Sequence, residues 1–349
     1  MRPIECIGKP RFQDQFHATH QTLFILHWRD DASHRTLAQN KTPMPYLTEM
    51  VLIGGFAAAF GIFVMFAAAR ALPRRNPRLD VVALPPPLND LLPCHTPDEV
   101  ALTPALPLGK VPVWFYQPLD LVGAGLVFGV FFALAVTSTN TSDHAILSLA
   151  PTTLMVNIGF QFLIAGLISA WACRRVGWIA WLGLRWPAWP WVFLIAPASV
   201  GFMWVVFGGL QASGYLKWME SLGLETVQDT VKLLQQSEDP RVLALLGLAA
   251  VVAAPLCEEI VFRGYFYPVL KKYAGAWPAA ISASFVFAAA HGNLTVLLPL
   301  FVFGGLLVFV YEKTGSLWAP IAVHCCFNST TVITQFVIRY FHLTLETTT

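Results

Sequence analysis

Residues 121–137, LVGAGLVFGVFFALAVT, contain no charged side chain and nothing that interrupts their apolar character. Runs of this kind constrain the chain more than any other feature. A helix crossing the hydrocarbon of a bilayer needs about 20 apolar residues, with roughly 17 to 25 accepted. Comparable runs recur at 50–69, 152–173, 191–211, 242–262, 276–291, 294–311 and 317–338. Backbone polar groups in lipid must be bonded within their own segment, so all eight runs are expected to be helices. None alternates with the two-residue period of a barrel strand. The fold class is therefore all-α, a polytopic integral membrane bundle of about eight transmembrane helices. Of the 349 residues 56% are hydrophobic and 12% charged, against about 25% charged in a soluble domain. The formal net charge of +2 points to the bilayer rather than to nucleic acid as partner.

Composition shifts divide the chain. Residues 1–48 are polar and His-rich and do not read as a cleavable signal; Met44 and Met50 are candidate starts just before the first span, 49–71. Residues 72–118, with LPPPLNDLLP and TPALPLGKVP, are expected to be an extended cytoplasmic connection. A membrane domain over 119–338 and a tail over 339–349 follow. Arginines and lysines cluster after spans one (Arg70, Arg74, Arg75, Arg78), three (Arg174, Arg175, Arg185), five (Lys271, Lys272) and seven (Lys313). Odd spans are thus expected to run from outside to cytoplasm. Within 213–240, Val227, Val231 and Leu234 recur at helical spacing, which predicts an amphipathic connector. The six cysteines show no CxxC spacing, and those next to or within apolar runs read as small buried hydrophobes.

Ionisable groups inside membrane spans are costly and normally face the bundle interior. Here they concentrate late in the chain: Glu258, Glu259 and Arg263 on span five, His291 at the end of span six, and His324 with Asn328 on span eight. Arg263 is four residues beyond Glu259, the favourable order for an ion pair. Glu258 points about 100° away around the helix, so Glu259 is expected to hold Arg263 while Glu258 remains available as a proton acceptor. Phe287 shares a face with His291, and His324 shares one with Asn328. Counted from the KKYAG turn, Glu258 and His291 lie at similar depth, so they are expected to meet across a helical hairpin.

EEIVFR, FAAAH and HCCFN form EExxxR, FxxxH and HxxxN elements in that order. The chain resembles the CAAX protease and bacteriocin-processing family of intramembrane endopeptidases over roughly residues 120–338. The resemblance implies a multi-pass membrane enzyme, in the plasma membrane if the source is bacterial, that hydrolyses a peptide bond of a membrane-associated protein or peptide near the surface. It implies that Glu258 and His291 activate water, that His324 and Asn328 stabilise the oxyanion, and that Glu259 and Arg263 hold the framework. A divalent metal is left open. Zinc held by Glu258, His291 and His324 is one possibility, but no HExxH is present and asparagine is a poor zinc ligand, so a metal-independent glutamate–histidine site is preferred.

Other readings are a non-catalytic scaffold or immunity protein on the same fold, and a proton-coupled transporter, against which stands the lack of internal symmetry. Cys325 or Cys326 beside His324 makes no nucleophile–base pair, since sequence neighbours face different ways. Asn157 and Gln161 are expected to bond between helices, Pro197 and Pro320 to kink theirs, and Trp178, Trp181, Trp186, Trp189 and Trp191 to form an interfacial belt.

Overall fold

The computed structural model describes residues 47–72, 110–138 and 151–346, Glu225 and Val227 excepted. The polar N-terminal segment, residues 73–109 of the proline-rich connection and the 139–150 loop lie outside the described residues.

Each apolar run folds as a helix. The ten principal helices are α1 Leu47–Ala71, α2 Pro118–Ser138, α3 Pro151–Cys173, α4 Val192–Ala212, α5 Tyr215–Ser221, α6 Asp229–Gln236, α7 Pro240–Ala274, α8 Ala276–Ala289, α9 Leu294–Thr314 and α10 Trp318–Glu346. Seven of them are long and apolar enough to cross a membrane, and α8 is a shorter apolar helix. Together these make the eight-helix membrane bundle. Glycines at positive φ bracket α8, Gly275 at 96° before it and Gly292 at 65° after it. Such backbone is strained for other residues. The Asn293 side chain then accepts from Thr295 N at 2.8 Å and starts α9.

The hairpin of α8 and α9 is the most closely packed part of the bundle. A methyl at Gly304 would press on Ser284 and Phe287, so a residue without one lets the two helices approach. Around the hairpin, α1 lies on α8, α10 lies on α4, and α7 runs through the centre.

The winding of α7 is not uniform. Ala249–Ala253 and Ile260–Phe266 are wide π turns, and they flank the α turns of Ala254–Glu259. Wide turns of this kind are rare and concentrate at functional sites. Two prolines leave carbonyls to be satisfied from elsewhere. Ala254 N bonds back five residues to the Ala249 carbonyl. The corresponding partner for Ala250 would be Pro255, which has no N–H, and Asn328 Nδ2 donates to that carbonyl at 2.8 Å. Likewise Pro268, four residues beyond Gly264, has no proton to give. Tyr116 O–H donates to the Gly264 carbonyl at 2.7 Å and Trp181 Nε1 at 3.0 Å.

Several sequence expectations are revised. The end of the proline-rich connection is part of the core: Val111, Phe115 and Tyr116 are buried. Lys271 Nζ pairs with Glu312 Oε1 at 2.5 Å and also donates to the Val111 carbonyl at 3.1 Å, while Lys272 donates to the Tyr116 carbonyl. Burial pushes the Tyr116 phenol well above its usual range. Trp181 is not in the belt but 1% exposed, because its N–H is needed at Tyr116 and Gly264. Asn157 and Gln161 bond to each other within α3, at 3.1 Å, rather than across helices. Pro320 sits in the first turn of α10, where a missing N–H costs nothing. Helix α10 itself continues to Glu346, through most of the expected tail. Helix α6 packs Leu233 and Leu234 against Val242, Leu246 and Val332 of α7 and α10, which makes it a packed cap.

Candidate active site

Four helices build one polar cluster. Arg263 Nη1 donates to Glu259 Oε1 at 2.9 Å, the pairing their spacing calls for, with the two side chains 1% and 0% exposed. Nη2 donates to the Gly304 carbonyl of α9 at 3.1 Å, and the guanidinium lies 4.4 Å over the Phe287 ring of α8. One arginine thereby ties α7, α8 and α9 together. The same Glu259 oxygen is 3.0 Å from His324 Nδ1 on α10. A carboxylate oxygen only accepts, so Nδ1 carries the proton and the opposite ring nitrogen, Nε2, turns towards Glu258.

Glu258 is the open side of the cluster, with a quarter of its side chain exposed. Its Oε2 is buried, has no hydrogen-bond partner, and lies 4.0 Å from His324 Nε2. That separation is too long for a direct hydrogen bond. A buried carboxylate oxygen normally has a partner, and an exception calls for an explanation such as a catalytic role.

His291 stands apart from Glu258: among the described residues no hydrogen bond or ion pair joins the two. It is exposed in the turn that ends α8, and its Nδ1 is 3.0 Å from the Phe287 carbonyl. Since the carbonyl accepts, Nδ1 holds the proton and Nε2 has the lone pair. The Phe287 ring meets both imidazoles edge-on, His291 at 5.3 Å and His324 at 5.8 Å between centroids. The i,i+4 spacing of Phe287 and His291 thus has a physical consequence: the ring spaces and orients the two bases. Phe303 also packs edge-on against His324 at 5.3 Å and touches Phe287 at 6.3 Å. Asn328 commits one amide proton to Ala250 and retains a second.

Among the described residues no three His, Cys, Asp or Glu side chains gather as a metal requires. As placed, Glu258, His291 and His324 do not form the tetrahedral shell of a catalytic zinc site.

Sequence reasoning did not single out Asp120. It is fully buried at the start of α2, where it accepts from Trp171 Nε1 at 2.8 Å and pairs with Arg175 at 2.5 Å. Tyr265 O–H donates to its backbone carbonyl at 3.2 Å. Its one signal was an acid at the head of an apolar run, which the helix dipole alone would account for.

A helical membrane bundle with paired glutamates and a buried imidazole at its centre, and a second imidazole in the turn that ends α8, defines the class: a multi-pass integral membrane protein with a carboxylate–imidazole site. Residues 240–330, which hold every member of the cluster, match the family described as type II CAAX prenyl endopeptidase Rce1-like. That similarity to the CAAX-protease family covers about a quarter of the chain. It is also similar to YdiL of Bacillus subtilis (strain 168), named as a proposed membrane peptidase, with 26% identity over 138 residues. That match spans 40% of this chain and 55% of YdiL, so the chain covers about half the length of the curated relative. No solved structure matches.

Proposed function

We propose that this protein is an intramembrane endopeptidase that hydrolyses a peptide bond of a membrane-associated protein or peptide. The observation that carries the reading is the buried, unpartnered Oε2 of Glu258, aimed at His324 inside the family-matched segment. Glu258 takes a proton from a water, and the resulting hydroxide attacks the amide carbon. The carbonyl π pair moves onto oxygen, where His324 Nε2–H, in the doubly protonated ring backed by Glu259, and the second Asn328 amide proton stabilise it. His291 Nε2, which no direct bond joins to Glu258, takes that proton through a bridging water and passes it to the leaving nitrogen. The C–N bond breaks as the oxyanion collapses to a carboxylic acid and the amine departs; the acid then gives up its proton, leaving a carboxylate and an ammonium. Glu259 and Arg263 touch no reacting atom in this scheme and act by positioning His324 and Glu258.

Comparative proteomics of membranes from cells carrying the wild type, Glu258→Gln or His291→Ala tests this. The expected result is at least one C-terminal fragment that disappears in both variants while the protein persists in the membrane at normal levels. An unchanged fragment pattern, with the cellular phenotype retained by Glu258→Gln, would support the non-catalytic scaffold instead.

A further inference from the structure

An apolar cavity lies away from the polar cluster. It is a groove of about 340 Å³ between α2 and α3, with Phe131 and Ile168 on its sides and Tyr265 of α7 at its base. Both helices rest on α7. The lips of the groove, Leu126, Val130 and Leu167, are exposed and would face lipid in a bilayer. A methyl at Gly123 would strike the Tyr265 hydroxyl, so the absence of a side chain there lets that ring form the floor.

Among the described residues, charge gathers at one end of the groove. Asp120 neutralises Arg175 and takes the indole proton of Trp171. The next guanidinium, that of Arg174, stacks 4.1 Å over the Trp171 ring and is exposed, with no carboxylate partner among the described residues. The groove thus combines an apolar slot open to the membrane with one uncompensated cation on an aromatic platform at its mouth. Trp178, 49% exposed, stands on the segment just beyond, as an interfacial anchor would.

We infer that the α2–α3 groove is a binding site for one anionic glycerophospholipid, with an acyl chain along Leu126, Phe131 and Leu167 and its phosphate on Arg174. The volume is at the lower end for small-ligand sites and fits part of one chain rather than a whole lipid. Arginine suits a phosphate, and cation–aromatic stacking presets its plane. This inference is independent of the proteolysis reading.

Full-length protein in nanodiscs of mixed phosphatidylglycerol and phosphatidylcholine, released into a mild detergent and weighed by native mass spectrometry, provides the test. The wild type should retain one phosphatidylglycerol in preference to phosphatidylcholine. Arg174→Gln should lower the retained fraction about fivefold, the worth of one basic residue at an anionic membrane surface. Leu126→Trp with Leu167→Trp, which fills the slot from its exposed lips, should abolish retention. A diazirine-bearing phosphatidylglycerol should label peptides of α2 and α3 in the unmodified protein, a readout that needs no variant to fold. Equal retention of both lipids, retention unaffected by Arg174→Gln, labelling confined to other helices, or a second copy of the chain seated on this face would each overturn the inference.

Discussion

Replacing Arg263 by methionine would leave Glu259, a fully buried carboxylate, with His324 as its remaining partner. Removing one member of a buried ion pair typically costs about 3–5 kcal/mol, because the other charge stays behind without compensation. Here the loss also includes the bond to the Gly304 carbonyl and the contact with the Phe287 ring, 4.4 Å away. The bond from His324 Nδ1 to Glu259 remains and offsets part of it, so the lower part of that range, about 3 kcal/mol, is expected. At roughly 2–4 °C per kcal/mol for a domain of this size, the midpoint of thermal unfolding should fall by about 6–12 °C. The measurement is loss of the monodisperse peak on heating in detergent, followed by intrinsic fluorescence. Glu259→Leu combined with Arg263→Met should be more stable than Arg263→Met alone, since no buried charge is stranded. A fall below about 3 °C for Arg263→Met, on the same scale, or a double variant at the sum of the two singles, would refute the claim that one arginine ties the cluster together.

Asp120→Asn should destabilise the protein by about 2–4 kcal/mol, since its amide oxygen can still accept from Trp171 while Arg175 loses its anionic partner and faces an NH2 donor; chemical denaturation in detergent would show it. Tyr116→Phe should cost only about 1 kcal/mol at neutral pH, because Trp181 still donates to the Gly264 carbonyl. The folded phenol holds its proton well above the unfolded value. Its contribution is therefore full below about pH 10 and declines as pH rises further. The wild type should lose its advantage over the Phe variant in that alkaline window, as parallel pH titrations of stability would reveal. If the side-chain mechanism holds, active protein should contain substoichiometric metal by mass spectrometry and keep its activity after chelation.

The bundle itself was legible because lipid imposes a single rule on the backbone, and uninterrupted apolar runs satisfy it. The Glu259–Arg263 pair was legible for a similar reason, since four residues make a turn. Contacts that join distant parts of the chain were not. Nothing in the spacing of Asp120, Trp171, Arg175 and Tyr265 brings them together, and Trp181 has the same sequence surroundings as its exposed neighbours Trp178 and Trp189. The Ala250 and Gly264 carbonyls became visible only once the wide turns were seen, because propensity carries no signal for a π turn. Depth counting placed Glu258 and His291 level with each other, but it could not show that the Phe287 ring would stand between the two imidazoles.

The wide turns of α7 give this helix an unusual sensitivity. Each seats one residue more than regular winding would, so the bearing of the residues within each turn depends on how many it holds. Deleting a single residue from 260–266 would let that turn close to ordinary winding while the segments on either side keep their bearing, and would shift the residues inside it, Gly264 among them, relative to Tyr116 and Trp181. Exchanging one apolar side chain for another at the same positions leaves that register intact. In this stretch the length of the chain is under tighter physical control than the identity of most of its residues.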